Sequence, residues 1–183
     1  MRTFIAVEIN PDVHKRLAEA QDRLRAARCA VKWVKPELMH LTLRFLGDIE
    51  DDALRGLEQL LAAAVEEVDP FELTVSGLGA FPERGAPRVV WAGVQDAGGL
   101  AVLHRRIEAG VRQLGFEPDD HPFAPHLTLG RVKEPRGADA LRALIEAGAA
   151  TSFGSSSARE LILMLSILSP SGPTYTPLRR QPL

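Results

Sequence analysis

The chain has 183 residues, of which 45% are hydrophobic and 25% charged, and its net charge is close to −2 at pH 7. These values are typical of a soluble globular protein with one domain or two small lobes, and no apolar run approaches the ~20 residues of a transmembrane helix. The single cysteine, Cys29, excludes an internal disulfide and a cysteine-built zinc site. Because an overall basic surface is absent, a nucleic acid would have to be held at an end or at a single linkage. We expect a cytoplasmic protein.

The first half of the chain is predicted to alternate strands and helices. Apolar and β-branched runs indicate the strands, and apolar residues at helical spacing indicate the helices. The predicted elements are, in order, a strand at Arg2–Glu8, a helix from Asn10 to about Arg28, strands at Val31–Val34 and Met39–Leu46, a helix with Leu54, Leu57, Leu61 and Val65 on its buried stripe, and strands at Phe71–Leu78 and Arg88–Val94.

The second half repeats this order with different residues. Its predicted elements are a helix with Leu100, Leu103, Ile107, Val111 and Leu114 on one side, a strand at His126–Val132, a short helix near Ala138–Ala147, a strand at Arg159–Leu168 and an extended segment near Tyr175. The two similar rounds predict an α+β protein that forms a single bilobal domain over residues 1–183. We expect two pseudo-symmetric lobes, in which antiparallel sheets line a central cleft and the helices lie outside.

The same tetrapeptide occurs once in each round. It reads His40-Leu41-Thr42-Leu43 in the first and His126-Leu127-Thr128-Leu129 in the second. Residues i and i+2 of a strand project from the same face, so each copy presents an imidazole beside a hydroxyl while its leucines face a core. A core needs the leucines but not the paired histidine and threonine, so we interpret the repeated motif as functional.

Two histidines and two threonines suit the cleavage of a phosphodiester. One group must take a proton from the attacking oxygen and another must give a proton to the departing oxygen. Histidine does either near neutral pH. Threonine hydroxyls can donate hydrogen bonds to the phosphate oxygens and stabilise the charge that develops on them.

These residues resemble the 2H phosphoesterase superfamily, and within it the RNA 2′,3′-cyclic phosphodiesterase family, also called the 2′-5′ RNA ligase family. Both motifs match without departure, and the similarity runs along nearly the whole chain. The segments that carry it are Arg2–Val7, Trp33–Val34, His40–Gly47, Gly77–Pro82, Arg88–Val94, Phe123–Arg131 and Gly172–Tyr175.

The resemblance implies the hydrolysis of an RNA terminal 2′,3′-cyclic phosphate to a 2′-phosphomonoester, together with a reversible 2′-5′ RNA ligation. It implies that His40 is the proton donor and His126 the proton acceptor, and that Thr42 and Thr128 bind the phosphate oxygens. No metal or other cofactor is implied. The expected partners are RNA ends or nucleotides that bear a 2′,3′-cyclic phosphate, and we expect a monomer that does not bind membranes.

Four further residues are candidates for substrate contacts. Strict alternation along the strand puts Arg44 on the face of His40 and Thr42, within reach of a phosphate. Arg131 falls on the face opposite His126 unless the strand bulges there, but the resemblance makes it a phosphate contact. Phe123 and Phe45 are candidates to stack on a base, although core packing is favoured for Phe45.

Three alternatives remain open at this stage. The cleft could hold a nucleotide without catalysis, although binding alone does not require both histidines. A metal-dependent hydrolase would need a third ligand at a recognisable spacing, which neither motif supplies. The substrate itself, whether an RNA end, a tRNA fragment or a small cyclic nucleotide, is not fixed by the sequence.

Overall fold

The computed structural model describes residues 1–183 and contains nine strands and four helices. The strands are β1 (Arg2–Val7), β2 (Val31–Trp33), β3 (Leu41–Asp48), β4 (Phe71–Phe81), β5 (Val89–Gln95), β6 (His126–Val132), β7 (Ser152–Ala158), β8 (Glu160–Ser169) and β9 (Gly172–Pro182). The helices are α1 (Pro11–Leu24), α2 (Ala53–Ala64), α3 (Gly99–Gln113) and α4 (Ala138–Ala147).

The strands form two antiparallel sheets. Sheet A has the order β3-β1-β8-β9, and sheet B has the order β2-β6-β5-β4-β7. Helices α2 and α3 pack on each other and contact β9 and β3 of sheet A, whereas α1 and α4 pack on each other and contact β7 and β4 of sheet B. Each half of the chain therefore supplies strands and helices to both lobes.

One cluster of 35 buried hydrophobic residues contains side chains from both sheets and from all four helices. The two lobes therefore share one core. A second, smaller cluster lies on the other face of sheet A and consists of Phe4, Ala6, Ile162 and Met164, with Tyr175 packed against it. This second face of sheet A is the one that approaches the first motif.

The predicted α+β class with two antiparallel sheets is confirmed. The helix ends follow local chemistry, since Pro11 occupies the first turn of α1 and Gly115, with φ of +87°, follows the end of α3. Strand β7 was not predicted, because its sequence is rich in serine and glycine rather than in β-branched residues. None of the four helices is long and apolar enough to cross a membrane.

Candidate active site

The two motifs meet where the two sheets approach each other. His126 is the first residue of β6, and His40 immediately precedes β3. Strands β3 and β6 belong to different sheets but contact each other. Leu41, Leu43, Leu127 and Leu129 are all buried in the shared core. The motif leucines therefore anchor both strands from behind, as the alternation of the sequence predicts.

The imidazoles of both histidines are held in the same way. The Nδ1 atom of His40 donates to the carbonyl oxygen of Leu38 at 2.8 Å, and that of His126 donates to the carbonyl oxygen of Ala124 at 2.6 Å. A hydrogen bond at one ring nitrogen fixes the tautomer and orientation of the ring. Each histidine consequently leaves Nε2 without a protein partner.

Aromatic rings support the two imidazoles to different extents. The ring of His40 stacks on Phe4 with centroids 4.6 Å apart and meets Tyr175 edge-on at 5.1 Å. The ring of His126 meets Phe81 edge-on at 5.1 Å and lies 6.3 Å from Trp91. An edge-on ring at the same distance is common to both sites. The stacked ring beneath His40 has no counterpart at His126.

The threonine hydroxyls are available to a ligand. Neither Thr42 nor Thr128 makes a side-chain hydrogen bond within the protein, and both residues are partly buried. Thr42 lies opposite Ala6, and Thr128 lies opposite Trp91. Each hydroxyl is thus carried on the strand face that also carries the aromatic support of its histidine.

A β-bulge follows the first motif and overturns the prediction for Arg44. Thr42 pairs with Ala6, but Arg44 pairs with Ile5, so that Leu43 has no partner in the register. Neighbouring residues of β1 point to opposite faces, and Arg44 therefore lies on the face opposite Thr42. The prediction that strict alternation carries Arg44 into the cleft is wrong, because the extra residue of a bulge reverses the alternation.

Arg44 is instead buried between β3 and α3, with 8% of its surface exposed. Its Nε lies 2.9 Å from Glu108 Oε1, although without the alignment of a hydrogen bond, and its Nη1 lies 3.6 Å from Asp119. It also donates to the carbonyl oxygen of Glu117. The guanidinium thus ties the first motif strand to α3 and to the loop that leads to His126.

A second bulge, at Leu129, has the opposite consequence. Thr128 pairs with Trp91, whereas Arg131 pairs with Val89, with Leu129 unpaired between them. Trp91 and Val89 lie two residues apart and share a face, so Arg131 faces the same side as Thr128 and His126. Arg131 could share the face of His126 only if the strand bulged, and this bulge is present.

Phe45 occupies the position in the first strand that Arg131 occupies in the second. It pairs with Phe4, its ring lies 5.8 Å from that of Phe4, and 58% of its surface is exposed. The expectation that Phe45 packs in the core is wrong, for the same reason that Arg44 is buried. A large aromatic ring is therefore left open to solvent beside the support of His40.

Phe123 lies in the loop before the second motif and stacks on His104. The two ring centroids are 4.1 Å apart with an interplanar angle of 10°. One face of the Phe123 ring is thereby covered by a side chain of α3. The role of Phe123 as a base contact stays a prediction, and Phe45 is the more open of the two rings.

Helix α1 supports both motifs through residues that the sequence analysis did not single out as functional. His14 donates from Nε2 to the carbonyl oxygen of Met39 at 2.9 Å, directly before His40. Gln21, which is 2% exposed, donates to the carbonyl oxygens of Val34 at 2.7 Å and Leu129 at 2.9 Å. Gln21 thus satisfies the backbone at the second bulge. The only indication of this role in the sequence is a glutamine among the apolar residues of the buried helix face.

Burial differentiates the titratable groups of the site. Desolvation lowers the pKa of His40 below its usual value, against the opposing effect of its hydrogen bond to Leu38, and the nearby His14 lowers it further. Desolvation raises the pKa of Tyr175, while the charges of Arg131 and Arg2 partly oppose this effect. Since Arg131 belongs to sheet B and Tyr175 to sheet A, this influence crosses the cleft. No group of three or more His, Cys, Asp or Glu side chains is arranged to hold a metal ion.

Comparison with known proteins agrees with this geometry. The family model for LigT-like phosphoesterases matches residues 7–91 and 93–175, so that each matched stretch contains one motif. The chain belongs to this family. The resemblance inferred from the two motifs is confirmed.

Relatives of the LigT-like phosphoesterase cover nearly the whole chain. This chain is 37% identical over 176 residues to a protein of Methanothermobacter thermautotrophicus named RNA 2′,3′-cyclic phosphodiesterase. The match covers 96% of this chain and 95% of the relative. The crystal structure of a Thermus thermophilus protein superposes with a TM-score of 0.84 at 33% identity, covering 100% and 98% of the two chains. E. coli LigT in complex with 3′-AMP superposes with a TM-score of 0.80 at 26% identity, covering 100% and 97%.

Proposed function

We propose that this LigT-like phosphoesterase hydrolyses RNA terminal 2′,3′-cyclic phosphates to 2′-phosphomonoesters. The observation that carries the proposal is the pair of imidazoles on contacting strands, each held at Nδ1 and each with a free Nε2. Support also comes from the relatives that bear the name RNA 2′,3′-cyclic phosphodiesterase. The structure of E. coli LigT in complex with 3′-AMP supports the proposal that the ligand is a nucleotide.

In the proposed reaction His126 acts as the base and His40 as the acid. A water molecule attacks phosphorus while Nε2 of His126 removes its proton, the bond between phosphorus and the 3′-oxygen breaks, and His40 protonates that oxygen. The hydroxyls of Thr42 and Thr128 donate to the non-bridging oxygens, and Arg131 offsets their charge. When the 5′-hydroxyl of another RNA attacks in place of water, the same steps form the 2′-5′ linkage and release the 3′-hydroxyl, and their reversal cleaves that linkage.

The low pKa of His40 bears on this division of roles. In the free protein burial favours the neutral imidazole, whereas an acid must carry the proton. A phosphodiester anion bound beside His40 favours the imidazolium and raises its pKa again. In this scheme the substrate itself therefore helps to load the acid with its proton.

We expect a bell-shaped dependence of turnover on pH, because one histidine must be protonated and the other neutral. In kcat/KM, which reports the free enzyme, the acid limb follows the lower of the two histidine pKa values and the alkaline limb the higher. Because the pKa of His40 is lowered from 6.5, the lower of the two values, and with it the acid limb, should lie below pH 6.5. In kcat, which reports the complex, this limb should move to higher pH. The limbs give apparent values of the coupled pair. A rate that only rises toward alkaline pH would instead indicate attack by free or metal-bound hydroxide.

The activity is tested by incubating the protein with adenosine 2′,3′-cyclic phosphate, with and without a chelator. We expect turnover in both, and a single product, the 2′-phosphate, because fixed groups on opposite sides of phosphorus permit only one bond to break. Phosphorus NMR against both authentic isomers identifies the product. Mainly 3′-phosphate would exchange the roles of His40 and His126, and loss of activity with chelator would favour a metal-dependent hydrolase.

The open ring of Phe45 makes a separate prediction about the base. Phe45→Ala should raise KM for adenosine 2′,3′-cyclic phosphate by roughly 5- to 150-fold, since the stacking of a base on an aromatic ring is worth ~1–3 kcal/mol. Ribose 2′,3′-cyclic phosphate, which has no base, serves as the control substrate, and its KM should not change. An equal rise for both substrates would mean that Phe45 supports His40 through Phe4 rather than binding a base.

A further inference from the structure

The open face of sheet A is organised in three rows that run across its strands. The first row contains Thr42 and its partner Ala6. The second contains Phe45 and Phe4, with Met164 on the other side of Phe4. The third begins at Arg2, two residues before Phe4, and continues on β8 and β9 with Ser166 and its partner Tyr175.

The register places Arg2, Ser166 and Tyr175 together. Thr3 pairs with Leu165, so Arg2 and Ser166, the next residue on each strand, are neighbours across β1 and β8. Ser166 pairs with Tyr175 across β8 and β9. Arg2, Phe4 and Ala6 share a face by alternation, and the Tyr175 ring meets that of Phe4 edge-on at 5.1 Å. The third row therefore continues the surface on which His40 rests.

The polar groups of this row have no partners within the protein. The hydroxyls of Tyr175 and Ser166 make no hydrogen bond, and exposed Arg2 makes no ion pair although Asp48 is its partner in the register. The charges of Arg2 and Arg131 both act on the Tyr175 hydroxyl, from the same sheet and from the opposite sheet. Two neutral donors beside the guanidinium group of Arg2 suit an anion.

Arg2 lies apart from the groups proposed to hold the reacting phosphate. Arg2 lies four residues along β1 from Ala6, the partner of Thr42, which at ~3.3 Å per residue amounts to ~13 Å. The aromatic row lies between them. A chain that places its terminal phosphate at Thr42 and its base on Phe45 would thus carry its next negative group toward the third row.

We propose that Arg2, Ser166 and Tyr175 form a second phosphate subsite, which binds the internucleotide phosphodiester that precedes the terminal nucleotide. This inference rests on the proposed function, and it narrows the substrate to RNA ends rather than cyclic mononucleotides. The subsite recognises a charge that every RNA linkage carries and therefore does not discriminate between base sequences.

Three substrates test the subsite: adenosine 2′,3′-cyclic phosphate, the ApA dinucleotide with a terminal 2′,3′-cyclic phosphate, and the same dinucleotide with an uncharged methylphosphonate linkage. We expect kcat/KM for the charged dinucleotide to exceed that for the mononucleotide by about tenfold or more, the worth of a charge-assisted hydrogen bond. The methylphosphonate should lose this advantage. If it keeps the advantage, the second base and not the phosphate is bound, and the proposal is overturned.

The variants Arg2→Gln and Ser166→Ala should each reduce the advantage of the charged dinucleotide and leave the mononucleotide nearly unchanged. Arg55→Gln, which removes a charge from the exposed side of α2, is the matched control and should change neither. An equal loss with both substrates would show that these residues act on the reacting phosphate, and would overturn the second subsite. Failure of the proposed function is distinguishable, because wild-type protein would then turn over neither substrate.

A second readout does not depend on turnover. Tyr175 is the only tyrosine in the chain, so the appearance of tyrosinate in the near-ultraviolet absorbance reports this residue alone. Binding of the dinucleotide product, with its charged linkage, should raise the pH at which Tyr175 ionises, because an adjacent anion disfavours the phenolate. The mononucleotide product should raise it less. Equal shifts with the two products would contradict a separate subsite.

Discussion

His40→Ala and His126→Ala are each expected to lower kcat for a cyclic phosphate by ~10²–10⁴-fold, the usual worth of a positioned proton-transfer group. Each histidine has a free Nε2 and an Nδ1 fixed by a main-chain carbonyl, so its substitution removes the group positioned for proton transfer. The double variant should lose far less than the product of the two single losses, since the groups act as a unit. Steady-state kinetics on the four proteins measure this.

The choice of control follows from the structure. His14 bonds to the carbonyl before His40, and His104 stacks on Phe123, so substitution of either would disturb the site indirectly. His121 is 90% exposed, and His121→Ala should keep wild-type kcat. Circular dichroism establishes that each variant is folded. Near wild-type turnover by a folded His40→Ala or His126→Ala protein would end the two-histidine mechanism.

Glu108→Ala is expected to lower the free energy of unfolding by about 3 kcal/mol, because it leaves a buried guanidinium without its nearest counterion. Arg44 would retain only Asp119, at 3.6 Å and partly exposed, and the carbonyl of Glu117. Chemical denaturation measures the loss. Replacing both partners, as Arg44→Leu with Glu108→Leu, should recover most of it, because no buried charge then remains.

The surface pair of Arg25 and Asp22 provides the comparison. Asp22 lies on α1 and Arg25 directly follows this helix, with the two groups 3.5 Å apart and both side chains exposed, and Asp22→Ala should cost less than about 1 kcal/mol. If Glu108→Ala costs no more than Asp22→Ala, the ion pair of Arg44 is not what holds the first motif strand to α3. If the double leucine variant is as unstable as Glu108→Ala, packing rather than charge is responsible.

The sequence was most informative where a local pattern and a local structure coincide. The repeated His-Leu-Thr-Leu motif predicted the strand His126–Val132 with its observed bounds, and the helix Ala138–Ala147 was predicted as closely. Both rest on short-range periodicity, which tertiary contacts did not override. The roles of His40, Thr42, His126 and Thr128 stay predictions that the geometry allows.

The direction of the side chains beyond each motif could not be predicted from a local pattern. Alternation holds as far as Thr42 and Thr128 and is then reversed by an unpaired residue, Leu43 or Leu129. Nothing in either tetrapeptide announces a bulge, because a bulge is set by the register with a neighbouring strand. For this reason Arg44 was predicted in the cleft and Phe45 in the core, whereas Arg44 is buried and Phe45 is exposed.

Residues contributed from distant parts of the chain were also missed. Tyr175 reaches His40 from β9, and Gln21 reaches Leu129 from α1. Neither contact has a local signature. A lone polar residue on an apolar helix stripe was the one visible hint, and it indicates burial with a partner without naming the partner.

The position of β1 between β3 and β8 has a consequence for the order in which the protein acquires its activity. A ribosome delivers β1 and β3 early, but Ile5 must wait for its partner Leu163, and Phe4 and His40 for Tyr175. Such pairings across almost the whole chain are slow to form. The nascent protein would therefore carry both motifs before either sheet is complete. Catalytic activity would begin only when the last hairpin, β8 and β9, has joined sheet A.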